Sequence, residues 1–180
     1  MSQFLHDLSW VLPLRSDLLA ILDSNARIPF VGKIGDYYYN FWRDKTNPQV
    51  IWRRTTLAEF RKDAPKWEVL LDIDALGKME GTNWVWGGAE CLRPAYDRCL
   101  ISLSRGGADA TVTREFDISE RAFVKGGFER PEAKGDLGWI DIDTVYVGTD
   151  FGPGSMTSSG YARVAKQWQR GTPMAKAKVV

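Results

Sequence analysis

The sequence predicts an all-β chain, a partial β-propeller of about three four-stranded antiparallel blades behind a short helical N-terminal segment. Three observations lead there. Residues 83–124 break into four short strand-like runs separated by turn residues, among them Arg93-Pro94 and Gly106-Gly107, which is the pattern of one antiparallel meander. Similar runs recur: second strands begin near residues 37, 98 and 144 and third strands near 49, 110 and 161, offsets of about 45 to 61 residues that suit blades carrying insertions. Eight Trp, eight Phe and six Tyr supply the large side chains that half-buried pleated surfaces use. A two-layer antiparallel sandwich is the alternative that the same periodicity admits.

Taken in order, Ser16 is a plausible N-cap for a helix over 16–24, with Leu18, Leu19, Ile21 and Leu22 as its apolar face. Pro29 then forces Ile28 into an extended conformation. Residues 1–35 read as a helical lead-in that packs on something else. Blades are expected at about 36–75, 82–125 and 135–180. The first opens with the aromatic run Tyr37-Tyr38-Tyr39-Asn40-Phe41-Trp42, turns before Pro48 and returns through Val50-Ile51-Trp52. Thr56 and Glu59 form a capping-box pattern for a short helix. A strand over 67–73 would place Trp67, Val69, Leu71 and Ile73 on one face. The third blade begins near Leu137, crosses a long loop at 150–160, and ends in a strand over 174–180 that alternates Lys176 and Lys178 with Ala175, Ala177 and Val179. Three blades cannot close a ring of four to eight, so open edges and association through them are expected.

Composition excludes several functions. With 24 Lys and Arg against 23 Asp and Glu, the net charge of +1 gives no reason to expect nucleic acid or an anionic membrane as partner. No apolar run reaches the ~20 residues of a membrane-spanning helix. The first residues lack the positive region of a secretory signal, which points to the cytoplasm. Cys91 and Cys99 face each other if the turn lies between Leu92 and Arg98; in a reducing compartment they are expected as two thiols. Two Cys and one His cannot complete a zinc site, and no metal or other cofactor is expected. Asp141, Asp143 and Asp150 invite a calcium reading, but Tyr146 stands where an EF-hand loop needs glycine.

The same residues resemble a known family. Residues 37–55 (YYYNFWRDKTNPQVIWRRT), 102–117 (SLSRGGADATVTREFD) and 139–173 are similar to the first three blades of the N-terminal propeller of prolyl oligopeptidase serine peptidases. Residues 18–29 (LLAILDSNARIP) resemble the family's helical lead-in, so the likeness covers 16–180. It implies a seven-bladed propeller that filters peptides, joined to a C-terminal α/β-hydrolase domain whose Ser-Asp-His triad cleaves after proline. The partners so implied are that hydrolase domain, absent from this chain, and a peptide substrate.

No catalytic residue is expected within these 180 residues. Ser155 sits in Gly-Pro-Gly-Ser-Met-Thr, which is not a G-x-S-x-G elbow, and His6 is the one histidine. The connections at 43–48, 104–109 and 149–160 should emerge on one face, with Tyr146, Asp150 and Phe151 near a substrate route. Two functions therefore stand at this point: a non-catalytic gating and support portion of a peptidase, or a stand-alone β-structured interaction module that oligomerises through its edges.

Overall fold

Alternating apolar residues close into three antiparallel sheets, each a simple meander in which neighbours in sequence are neighbours in space. The computed structural model describes residues 10–24 and 28–180. The first sheet holds β1 (Gly32–Ile34), β2 (Tyr37–Trp42), β3 (Ile51–Thr56) and β4 (Glu68–Asp72). The second holds β5 (Trp84–Cys91), β6 (Arg98–Arg105), β7 (Thr111–Asp117) and β8 (Ala122–Phe123), with β9 (Glu129–Ala133) also on β7. The third holds β10 (Leu137–Asp141), β11 (Thr144–Gly148), β12 (Ala165–Gln169) and β13 (Lys178–Val179). This is the partial propeller that the periodicity predicts.

The middle blade explains the packing. Along β6 successive side chains point to opposite faces, and both faces are covered. Cys99, Ile101 and Leu103 enter the core shared with the first sheet, beside Trp52, Leu70, Trp84 and Phe116. Leu100 points the other way, into a second core with Phe128, Leu137, Val145, Val147 and Trp168. A strand buried on both sides reads as a run of consecutive apolar residues, as Cys99 to Ile101 does, with Leu103 following after Ser102. Rings bridge the first two blades: Trp52 lies 5.5 Å from Trp86 and 6.0 Å from Phe116. Arg170 bridges the last two, holding the Glu115 carboxylate at 2.8 and 3.1 Å.

Several elements differ from the sequence expectation. Helix α1 (Val11–Asp23) starts earlier than Ser16, because Pro13 falls in the first turn, where its missing N–H has no intrahelical partner to lose. Strand β1 lies inside the segment expected as lead-in and pairs with β2, Gly32 opposite Tyr39. Helix α2 (Leu57–Phe60) forms as the capping box requires, with the Glu59 N–H donating to the Thr56 hydroxyl at 3.3 Å. Ile73 does not continue β4; it begins α3 (Ile73–Glu80), capped by the Asp72 carboxylate and ended by Gly81 at φ 62. The final run is a 3-10 turn (Met174–Lys176) followed by only two strand residues in β13. Cys91 and Cys99 are paired across the ladder as expected, but they form a disulfide rather than two thiols, since the register sets them directly opposite. No helix among the described residues is long and apolar enough to cross a membrane.

Candidate functional site

Two ends of the blades carry the side chains that could meet a ligand. At one end lie the connections between second and third strands. They are stitched together: Gln49 Nε2 donates to Asn83 Oδ1 at 3.1 Å, and the Gly106 N–H donates to the Asn83 carbonyl at 2.8 Å. Lys134 continues the seam, pairing with Asp109 at 3.3 Å and lying over the Tyr161 ring at 5.2 Å.

Of the three residues expected on a substrate route, Asp150 and Phe151 lie at this end and Tyr146 in the middle of β11, and no one pocket holds all three. Tyr146, half exposed on β11, lines a cleft of about 410 Å³ together with Glu90, Asp136 and Arg163. Asp150 is turned into its own loop, where its carboxylate accepts from the Gly152 N–H at 2.8 Å. Phe151 packs on the second core, with Lys166 Nζ 3.8 Å above its ring. Ser155 is buried and donates to the Gly152 carbonyl at 2.6 Å while accepting from the Phe151 N–H at 2.8 Å. Those bonds organise the loop and leave the hydroxyl no free donor for nucleophilic work. His6 lies outside the described residues. Among the described residues no group of three or more His, Cys, Asp or Glu could hold a metal ion.

At the opposite end the first strands of all three sheets converge. Lys33, Ile34 and Gly35 from the end of β1, residues 89–93 and Tyr96 from β5 and its turn, and Trp139 and Ile140 from β10 line one cleft of about 610 Å³. Trp139 closes its side wall, its Nε1 donating to the Glu90 carbonyl at 2.9 Å and its N–H to Glu90 Oε1 at 3.3 Å. No local sequence pattern marks this cleft, because its residues are distant along the chain. Only the placement of β1, β5 and β10 as first strands of successive sheets brings them together.

The comparisons agree with this architecture. Residues 16–180 match the family model for the prolyl oligopeptidase N-terminal beta-propeller domain. An uncharacterised peptidase of Sinorhizobium fredii is 47% identical over 165 residues, which cover 91% of this chain and 23% of that protein. An uncharacterised peptidase of Rickettsia prowazekii is 38% identical over 150 residues, 79% of this chain and 21% of the relative. Among solved structures, a post-proline cleaving enzyme from Rickettsia typhi superposes with a TM-score of 0.88 at 34% identity, covering 94% of this chain and 26% of that one. Oligopeptidase B from Leishmania major shares the fold with a TM-score of 0.66 at 17% identity, covering 95% of this chain and 23% of that one. The chain thus spans about a quarter of the length of the relatives it matches. Its three meanders, the cores between them and the match over 165 residues place it in one family: the chain belongs to the prolyl oligopeptidase N-terminal β-propeller domain family.

Proposed function

We propose that this chain serves a proline-specific oligopeptidase as the opening blades of its substrate filter and as a support for a separate α/β-hydrolase domain, taking no part in bond cleavage itself. The observation that carries the reading is the superposition on the Rickettsia typhi post-proline cleaving enzyme, which covers nearly all of this chain but only 26% of the enzyme. Support for a docked domain comes from α1. Its Leu12, Leu18, Ile21 and Leu22 are each more than half exposed, an apolar surface that the described residues leave uncovered. The non-catalytic part of the reading is supported by Ser155 being bonded within its loop and by the single histidine of the sequence. On this reading Tyr146, Asp150 and Phe151 flank the path a peptide takes.

Grafting tests it. The chain replaces the matching portion of the Rickettsia typhi enzyme, and hydrolysis of a short proline-containing peptide is compared with that of a long one. A chimera that cleaves the short peptide and spares the long one is the expected result. Equal cleavage of both overturns the filter, and hydrolysis of a succinyl-Gly-Pro reporter by the purified chain alone overturns the non-catalytic role. Tyr146→Ala in the chimera should raise KM for peptides; unchanged kinetics at every length removes Tyr146 from the route.

A further inference from the structure

The cleft between β1, β5 and β10 has an electrostatic imbalance that the fold does not use. Lys33 and Arg93 both line it, both are exposed, and neither side chain has a hydrogen-bond or ion-pair partner among the described residues. Glu90 is the one carboxylate in the lining, and its Oε1 accepts the Trp139 N–H. Two cations and one carboxylate leave a single positive charge, which complements a monoanion better than a phosphate dianion. The walls beside the cations are aromatic, Tyr96 and Trp139. Tyr96 stands there with φ at 56, a left-handed conformation that a tyrosine adopts at a cost, held by its N–H donating to the Leu92 carbonyl at 2.8 Å. Backbone strain of this kind persists where the surroundings over-determine it, and here it fixes an aromatic residue next to an unpaired arginine.

We infer that this cleft is a carboxylate-binding site, taking the free α-carboxylate of a short peptide between Lys33 and Arg93 with the terminal side chain against Tyr96 and Trp139. The inference rests on the peptide-filter reading above and gives that filter a chemical preference at the mouth opposite the stitched connections. Arginine offers a carboxylate two parallel N–H donors and lysine a mobile point charge, so the pair can hold one carboxylate without a fixed orientation from either. The cleft stays open to solvent, so the preference is screened by salt.

The test is a ligand-observed NMR titration of the 180-residue chain with N-acetyl-Ala-Pro-Phe and with its C-terminal amide. The free acid should bind about fivefold tighter than the amide, the upper end of what an exposed ion pair supplies. High salt should shrink that gap. The double variant Lys33→Gln, Arg93→Gln should abolish it with the melting temperature unchanged, because both side chains are exposed. Glu90→Gln, which keeps an acceptor for the Trp139 N–H, should widen the gap by strengthening acid binding only. Equal binding of acid and amide, or a gap that survives the double variant, overturns the site. An amide carrying the carboxylate on an internal aspartate, N-acetyl-Asp-Pro-Phe-amide, is expected to bind no better than the plain amide. If it matches the free acid, the α-carboxylate assignment is overturned in favour of acidic side chains. Failure of the filter would show as a chimera that cleaves long peptides while this titration is unaffected; failure of the site would leave length selection intact.

Discussion

Glu115 is a buried carboxylate that joins two blades. Its side chain is 1% exposed, and it accepts both guanidinium nitrogens of Arg170 and the Phe128 N–H at 2.9 Å. It therefore ties β7 to the last turn of the third blade. Removing one partner of a buried pair leaves the other uncompensated, which typically costs about 3 kcal/mol or more. Glu115→Ala should lower stability by about that amount in urea unfolding, whereas Arg170→Lys, which keeps the charge and loses the fork, should cost about 1 kcal/mol. Glu80 makes a smaller, pH-dependent contribution. Hydrogen bonds from Arg114 at 2.7 and 3.0 Å hold its carboxyl below the ordinary value against the opposing effect of burial, and the Trp84 indole adds a third. Because the folded pKa is depressed, its contribution is present above the ordinary carboxylate value and is lost as pH falls through the folded one. Glu80→Gln should flatten the acid limb of stability against pH; an unchanged acid limb would mean that Arg114 does not stabilise the carboxylate. Little of this was legible beforehand. The Cys91–Cys99 opposition follows from a turn of known length, but the arginine partners of Glu115 and Glu80 lie 55 and 34 residues away, beyond any local pattern.

At the scale of elements, what the sequence announced were those whose local chemistry and tertiary role agree. Helix α2 is one, with Thr56 and Glu59 spaced for a cap, and β5 to β8 are others, separated by proline, glycine and polar turns. Helix α3 is masked in the sequence because Leu70, Leu71 and Ile73 extend the β4 run, although Asp72 as cap and Gly81 as stop do mark its ends. Strand β9 had no signal at all. Its Glu-Arg-Pro-Glu-Ala lacks alternation, and its pairing with β7 is reinforced by buried Arg130, which donates to Thr111 Oγ1 at 2.7 Å and Thr113 Oγ1 at 3.1 Å. Proline is tolerated there because β9 is an edge strand. Between β9 and β10 the chain passes so close to β11 that a Cβ on Gly135 would collide with the Gly148 carbonyl. That approach is what lets Asp136 and Gly148 exchange both backbone hydrogen bonds, at 3.0 and 2.9 Å. Gly135→Ala should therefore destabilise the chain by about 3 kcal/mol, as overpacking against backbone does, and should speed hydrogen exchange in β10 and β11 before β6. Equal exchange across all three blades would mean that the second and third sheets open as one unit.

For the molecule as a whole, the three sheets form an arc whose central blade is covered on both faces, while the helical segment in front of it has no cover among the described residues. No residue of α1 is buried, so the helix adds little to the stability of the blades; its apolar surface is instead a cost in water that any docked protein surface removes. The purified chain is therefore expected to associate in a concentration-dependent way through this helix. Leu18→Glu with Leu22→Glu should shift the mass in solution towards the 20.3 kDa monomer while leaving the melting temperature of the blades within a few degrees of the parent. The two readouts separate the candidate surfaces. Loss of association with an unchanged melt assigns it to α1. Association that persists in the double variant assigns it instead to the unpaired edges of the sheets, where backbone N–H and C=O groups offer a second chain a ladder that no side-chain charge on α1 can block.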